Sequence, residues 1–328
     1  MRDELRGWYK PTPQELEGLW GDRSLLVLDA NALLYPYRVP SKARARLFDL
    51  LRVYREQLWC PYQSALEYQR NRLRVVREQQ DAYAELSQKL DKAENMLTQL
   101  RRDHPMINAE VFKNQVRLSI AGLKRWLDEV ERGHPRFLGE DRDDDVVRDE
   151  WDELLKGRIG DKLPIDDAWK RDADKRYAAG IPPGFEDARK NDGREYGDLI
   201  IWTETLRLLE GNGIEAENAP RPVIFITDDE KSDWWRIEAN QRLGPRPELV
   251  DEIRSAGGSP FWMYSLPRFV SAGAERLNWQ DDESSDLGVI GVPADGGRDA
   301  EPVGPLEDVG TRLSQDDPAA SNERVPES

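Results

Sequence analysis

Two apolar runs in this sequence end in aspartate. Ser24-Leu-Leu-Val-Leu28 leads into Asp29, and Pro222-Val-Ile-Phe-Ile226 leads through Thr227 into Asp228 and Asp229. A short apolar run bounded by polar residues reads as a buried strand. In an open parallel sheet, sites form outside the carboxyl ends of the strands, so both runs deliver acid to one edge. Two further acids open helices there: Glu67, soon after Pro61, and Asp198, which starts the apolar stretch Leu199 to Leu209. Four carboxylates at one edge repel each other, and a hard divalent cation relieves that repulsion. Oxygen donors alone point to Mg²⁺ or Mn²⁺. Such an ion activates water and neutralises a phosphodiester.

Each acid also has a plainer reading. Ser64-x-x-Glu67 has the spacing of a capping box. Asp198, and Asp228 or Asp229, suit helix N-caps, and Asp29 suits the cap of a following turn. Capping does not explain why so many acids fall at neighbouring strand and helix ends. Arg70 and Arg74 follow Glu67 at i+3 and i+7, on its face of the helix, with Asn71 beside them, and would meet phosphates. Arg72 points at another angle, as on a solvated face. Trp234 and Trp235 have the chemistry to stack on bases, with a core role expected for at least one. Cys60 has no basic neighbour in sequence and reads as packing.

The elements that must position these residues alternate between strand and helix, the pattern of an α/β fold with a parallel sheet. Residues 1–23 form a short arm with large anchors at Trp8, Tyr9, Leu16, Leu19 and Trp20. Helical spacing covers 41–56, and Leu58-Trp59-Cys60 is a second short strand. Two long amphipathic stretches, about 64–102 and 108–132, are separated by His104-Pro105 and ended by His134-Pro135. They predict an antiparallel helical hairpin, coiled-coil-like with imperfect heptads. Residues 139–195 are acidic and irregular, with short helices near 146–156 and 166–178. A helix containing Trp234 and Trp235, another at 246–256, and a last strand at Phe261–Ser265 follow. The domain is expected over 24–278, with its helical insertion at about 70–134.

The chain of 328 residues carries 48 basic and 64 acidic side chains, a net charge of −16. Thirteen acids and three bases fall in 279–328, a tail without periodicity that reads as disordered. Residues 1–278 then carry only −6, so binding of a polyanion falls to local groups such as Arg44, Arg46, Arg70, Arg72, Arg74 and Arg77. One cysteine and two histidines exclude a disulfide, a Cys cluster and a His-rich metal site. No apolar segment approaches a membrane span or a secretory h-region, and a cytoplasmic location is expected.

Together these residues resemble the PIN-like domain family, in its bacterial group of nucleases with a long helical insertion. The resemblance is carried by Val27-Leu-Asp29-Ala-Asn31-Ala-Leu33-Leu34, Trp59-Cys-Pro-Tyr-Gln63-Ser-Ala-Leu-Glu67-Tyr-Gln-Arg70-Asn71-Arg72, Pro182-Pro-Gly-Phe-Glu-Asp187, Tyr196-Gly-Asp198-Leu-Ile-Ile-Trp202, Ile226-Thr-Asp-Asp229 and Asp233-Trp-Trp235. It spans roughly 24–270. It implies a three-layer α/β fold and hydrolysis of nucleic acid, RNA first and single-stranded DNA second, with Mg²⁺ or Mn²⁺. By similarity, Asp29, Glu67, Asp198 and Asp229 form the acidic quartet, with Asn31 and Thr227 supporting them. Thr-x-Asp spacing favours Asp229 over Asp228. Asp187 is a fifth acid for a second metal. Antitoxins restrain related toxin nucleases, so an inhibitory protein partner belongs to the same expectation.

Two other classes compete. An inactive scaffold would use the helical pair and the acidic tail for protein contacts, but all four acids are present. Phosphotransfer of the haloacid dehalogenase kind needs a second acid two residues after the first, and Asn31 stands there; a receiver domain needs a lysine near the last strand, and none sits by Phe261–Ser265.

Overall fold

The structure, a computed structural model, describes residues 1–99, 108–133, 145–190, 195–211 and 220–279. The chain enters through a 3-10 turn and helix α1 (Pro13–Gly18), whose N-terminus is closed by a Thr12–Glu15 capping box. Leu16, Leu19 and Trp20 anchor this arm in the core, whereas Trp8 is exposed beneath the Arg236 guanidinium. Strand β1 (Leu25–Leu28), helices α2 (Ala30–Leu34) and α3 (Ser41–Val53), and strand β2 (Leu58–Trp59) follow.

Helix α4 (Tyr62–Thr98) has 37 residues, about 55 Å of rod at 1.5 Å per residue. Helix α5 (Ala109–Gly133) returns along it. The pairs Glu94–Arg117 and Asp91–Lys124 set the two helices antiparallel. Ile120 and Leu127 are buried in α5, while Leu123, Trp126 and Val130 remain exposed. The two His-Pro breaks expected at 104–105 and 134–135 lie outside the described residues, as does the tail beyond Trp279.

Helices α6 (Val146–Leu154), α7 (Asp167–Ala178) and α8 (Gly197–Gly211) lead to strand β3 (Arg221–Ile226). The helix expected around Trp234 and Trp235 is instead an antiparallel ribbon of β4 (Trp235–Glu238) and β5 (Gln241–Pro245). Ala239 and Asn240 take φ of 51° and 60°, the paired left-handed conformation of a tight hairpin turn. Both indoles are buried in one core, so neither is available to stack on bases. Helix α9 (Pro247–Ser255), strand β6 (Gly258–Tyr264) and helix α10 (Leu266–Arg276) complete the domain.

The main sheet is parallel throughout, in the order β2-β1-β3-β6. Alternate residues of each strand serve opposite faces. Leu26, Leu28, Ile224 and Ile226 pack with Leu47, Leu50 and Phe269 on one side. Leu25, Val27, Val223 and Phe225 pack with Ile201, Trp202 and Ile253 on the other. The result is the expected three-layer α/β architecture. Among the described residues, no helix is long and apolar enough to cross a membrane.

Candidate active site

The register of the two central strands sets the first pair of groups. Leu28 of β1 pairs with Ile226 of β3, so Asp29 and Thr227 emerge side by side at the carboxyl edge. The Asp29 N–H donates to the Ile226 carbonyl at 3.0 Å. Asp29 Oδ1 accepts the Ala30 N–H at 2.6 Å, as a helix cap would, and its Oδ2 accepts the Thr227 hydroxyl at 2.7 Å. The Thr227 oxygen in turn accepts the Asp229 N–H at 3.0 Å. One hydroxyl therefore orients both aspartates. Asn31 lies in the first turn of α2, half-buried.

Helices α4 and α8 supply the next pair. The capping box expected at Ser64 does not form: α4 already begins at Tyr62, and Ser64 is buried inside it. Glu204 of α8 caps α4 from outside, accepting the Gln63 N–H at 3.0 Å and the Leu163 N–H at 3.1 Å. Glu67 is thus released from capping. Its Oε1 accepts the Gln63 side-chain amide at 2.7 Å. A Cβ on Gly197 would lie 2.5 Å from that same oxygen, so the missing side chain lets Glu67 approach the start of α8. Asp198 is the next residue. It caps nothing: its Oδ2 accepts Lys231 Nζ at 2.9 Å and the Trp234 indole N–H at 3.4 Å.

Lys231 is the functional-edge residue that sequence reading missed. Its ammonium lies 2.9 Å from Asp229 Oδ2, 2.9 Å from Asp198 Oδ2 and 3.0 Å from Asp187 Oδ2. Asp187 reaches the cluster from a 3-10 turn after Gly184 and also pairs with Lys190 at 2.8 Å. Asp233 pins that turn from below. Fully buried, it accepts the Gly184 N–H at 2.9 Å and the Glu186 N–H at 3.2 Å on Oδ2, while Oδ1 has no partner. The only sequence signal for Lys231 is its place two residues after Asp229.

The electrostatics follow burial and crowding. Burial, then the charges of Asp198, Asp229 and Glu67, push the Asp29 carboxyl up to about 7, against the Thr227 hydrogen bond. Burial and the Asp198 charge raise Glu67, although Gln63, Lys231 and Arg70 oppose this. Burial also raises Asp198, against the pull of Lys231. Burial opposes ionisation of Asp187 too, but Lys190 and Lys231 hold its carboxyl below the ordinary range. Lys231 is desolvated, yet Asp198 and Asp229 keep it charged well beyond the usual lysine range.

Several expected contributors sit elsewhere. Asp228, offered as an alternative metal ligand, turns away and accepts the Leu266 N–H at the start of α10 at 3.3 Å. Burial pushes it up to about 6. Arg72 is no surface charge: it pairs with buried Asp145 at 2.7 Å, beside the Tyr37 hydroxyl. Arg44 is buried and donates to the Pro36 carbonyl, and Arg46 covers the Trp279 ring. Asn71 donates to the Glu67 carbonyl within α4, and Arg74 pairs with Glu78. Arg70 is exposed, and its charge reaches Glu67. Cys60 is buried, and burial raises its thiol above the usual range, as expected for packing.

Among the described residues, no group of three or more His, Cys, Asp or Glu side chains is arranged to hold a metal ion as it stands. The donor chemistry nevertheless fits one. Asp29, Glu67, Asp198, Asp229 and Asp187 offer only oxygen, and three of them already surround a cation, the Lys231 ammonium. Gly197 leaves open the space that Glu67 enters.

Comparison with known proteins agrees with this architecture. A family model described as "PIN like domain" matches residues 25–249, from β1 to the start of α9. No curated protein and no solved structure matches the chain. The matched span covers the main sheet up to β3, the helical insertion and all the acids at the edge, and the chain belongs to the PIN-like domain family, a family of nuclease folds.

Proposed function

We propose that this protein is a metal-dependent nuclease that hydrolyses phosphodiester bonds, with RNA as its favoured substrate and single-stranded DNA as the second. One observation carries the reading. Acids from five separate segments, at Asp29, Glu67, Asp187, Asp198 and Asp229, meet at the carboxyl edge of a parallel sheet, three of them on the Lys231 ammonium. Structural capping accounts for Asp29 and Asp228 but leaves Glu67 and Asp198 without a cap to make.

Asp29, Glu67, Asp198 and Asp229 would hold Mg²⁺ or Mn²⁺, with Asp187 at the margin. The bound ion supplies Lewis acidity, lowering the pKa of water and neutralising phosphate charge. The chain does the rest. Thr227 holds Asp29 and Asp229 in register with each other. Glu204 fixes the start of α4 on α8, so Glu67 and Asp198 stay adjacent. Arg70, exposed one turn beyond Glu67, meets the phosphate on the open side.

The test is cleavage of labelled single-stranded RNA and DNA by the full chain, with Mn²⁺, with Mg²⁺ and with EDTA. Wild type and Asp228→Asn should cleave in metal, and Asp229→Asn should not. A second reading, a protein-binding scaffold, is favoured by exposed Leu123, Trp126 and Val130 on α5. Absence of both cleavage and Mn²⁺ binding would select it.

A further inference from the structure

The acids at the edge fall into two sets. Asp187, Asp198 and Asp229 each place Oδ2 within 3.0 Å of Lys231 Nζ. An ammonium has three N–H donors, and three carboxylates take them. The Lys231 side chain is one-quarter exposed, so this arrangement is only partly open to water. Among the described residues, no ammonium or guanidinium forms an ion pair with Asp29 or Glu67. Their partners are the Thr227 hydroxyl, the Ala30 N–H and the Gln63 amide. Asp198 belongs to both sets: its two hydrogen bonds fall on Oδ2, and its charge acts on Asp29 and on Glu67.

From this geometry we infer that Lys231 is a built-in cation that fills one of two cation positions, so that the site takes a single divalent ion, at Asp29 and Glu67 with the oxygens of Asp198 and Asp229 that do not face the ammonium. A second divalent ion cannot sit among the three Oδ2 atoms of Asp187, Asp198 and Asp229 beside an ammonium that already touches all three, because like charges a few ångströms apart in a partly buried site repel strongly. Lysine suits the task. It is a compact point charge with three donors on a flexible stem, where arginine would present a planar fork. Lys231 is here a positioning residue: it holds three acids in place and limits the metal count.

The inference rests on the nuclease reading, and its test separates the two. Mn²⁺ is titrated into the metal-stripped full chain and followed by calorimetry and by the spin-resonance signal of free Mn²⁺. Only ions absent from Asp198→Asn are counted, which removes weak binding by the acidic tail. Wild type is expected to bind one ion. Lys231→Met, which keeps the stem and removes the charge, is expected to bind two. Lys231→Gln serves if the methionine variant does not fold by circular dichroism. Asp187→Asn, which leaves Lys231 with two acids, should still bind one.

Two ions in wild type, both lost in Asp198→Asn, would overturn the inference and leave the nuclease reading standing. One ion in wild type and one in both lysine variants would overturn it as well. No Mn²⁺ in wild type but one ion in Lys231→Met would mean that the lysine closes the whole site, and would also overturn it. No Mn²⁺ in any form would remove both readings.

Discussion

The Thr227 hydroxyl donates to Asp29 across 2.7 Å, and the two residues are 198 positions apart in sequence. The same oxygen accepts the Asp229 N–H at 3.0 Å. Thr227→Val keeps the shape and removes both bonds. A hydrogen bond to a charged group contributes about 1.5–3 kcal/mol, and leaving a buried donor unpaired costs about as much. A lower melting temperature with the fold retained is expected, together with weaker Mn²⁺ binding. Unchanged melting would show that the hydroxyl orients neither aspartate.

Gly197 separates stability from site geometry. In a helix, glycine is about 0.5–1 kcal/mol less favourable than alanine. Gly197→Ala should therefore hold or raise the melting temperature. The new Cβ, 2.5 Å from Glu67 Oε1, must displace that carboxylate. Mn²⁺ affinity is expected to fall about tenfold, the equivalent of ~1.4 kcal/mol. Equal affinity in a calorimetric titration would show that Glu67 stands outside the metal position.

Arg72 and Arg74 sit two residues apart and should behave oppositely. Arg72 is paired with Asp145, whose side chain is 3% exposed. Breaking a buried pair by removing one partner costs about 3–5 kcal/mol. Arg74 is exposed and paired only with Glu78, a contact worth about 0.2–1 kcal/mol. Urea unfolding of Arg72→Ala and Arg74→Ala should show this contrast. Equal stabilities would mean that Asp145 finds another cation.

Asp233 makes stability depend on pH. Burial pushes its carboxyl up to about 6 in the folded protein, from 3.8. Between these values the folded state binds more protons than the unfolded one, so its contribution falls as pH rises. Two units correspond to about 3 kcal/mol, fully expressed above pH 6. Asp233→Asn keeps an oxygen for the Gly184 and Glu186 N–H groups and carries no charge. Its melting temperature should match wild type near pH 4 and exceed it by several degrees at pH 7. A constant difference across that range would remove the assignment.

The layered α/β fold and the family were legible because they rest on local signals. Leu25–Leu28 and Val223–Ile226 are short apolar runs, and each ends in acid. What escaped depended on long-range partners. Ser64 looked like a cap because Glu67 follows at the right spacing, but the true cap is Glu204, 141 residues from Gln63. Arg72 looked solvated because its partner is 73 residues away. Trp234 and Trp235 looked helical because nothing local announces a ribbon, apart from the Asn240 turn. Lys231 escaped for the same reason: it is defined by three acids, and two of them lie 44 and 33 positions back along the chain.

The crossing of β3 beside β1 has a consequence in time. A ribosome delivers Asp29 early and Thr227 roughly two hundred residues later. Until residue 226 has emerged and β3 has slotted between β1 and the space for β6, no complete set of acids exists. A chain truncated anywhere inside the helical insertion lacks Asp187, Asp198, Asp229 and Lys231 together. The hairpin adds little to the entropy of closing this long loop, since doubling a loop costs only about 0.6 kcal/mol. An unfinished polypeptide therefore lacks the assembled edge by construction, and the cluster of acids comes into being only as synthesis nears its end.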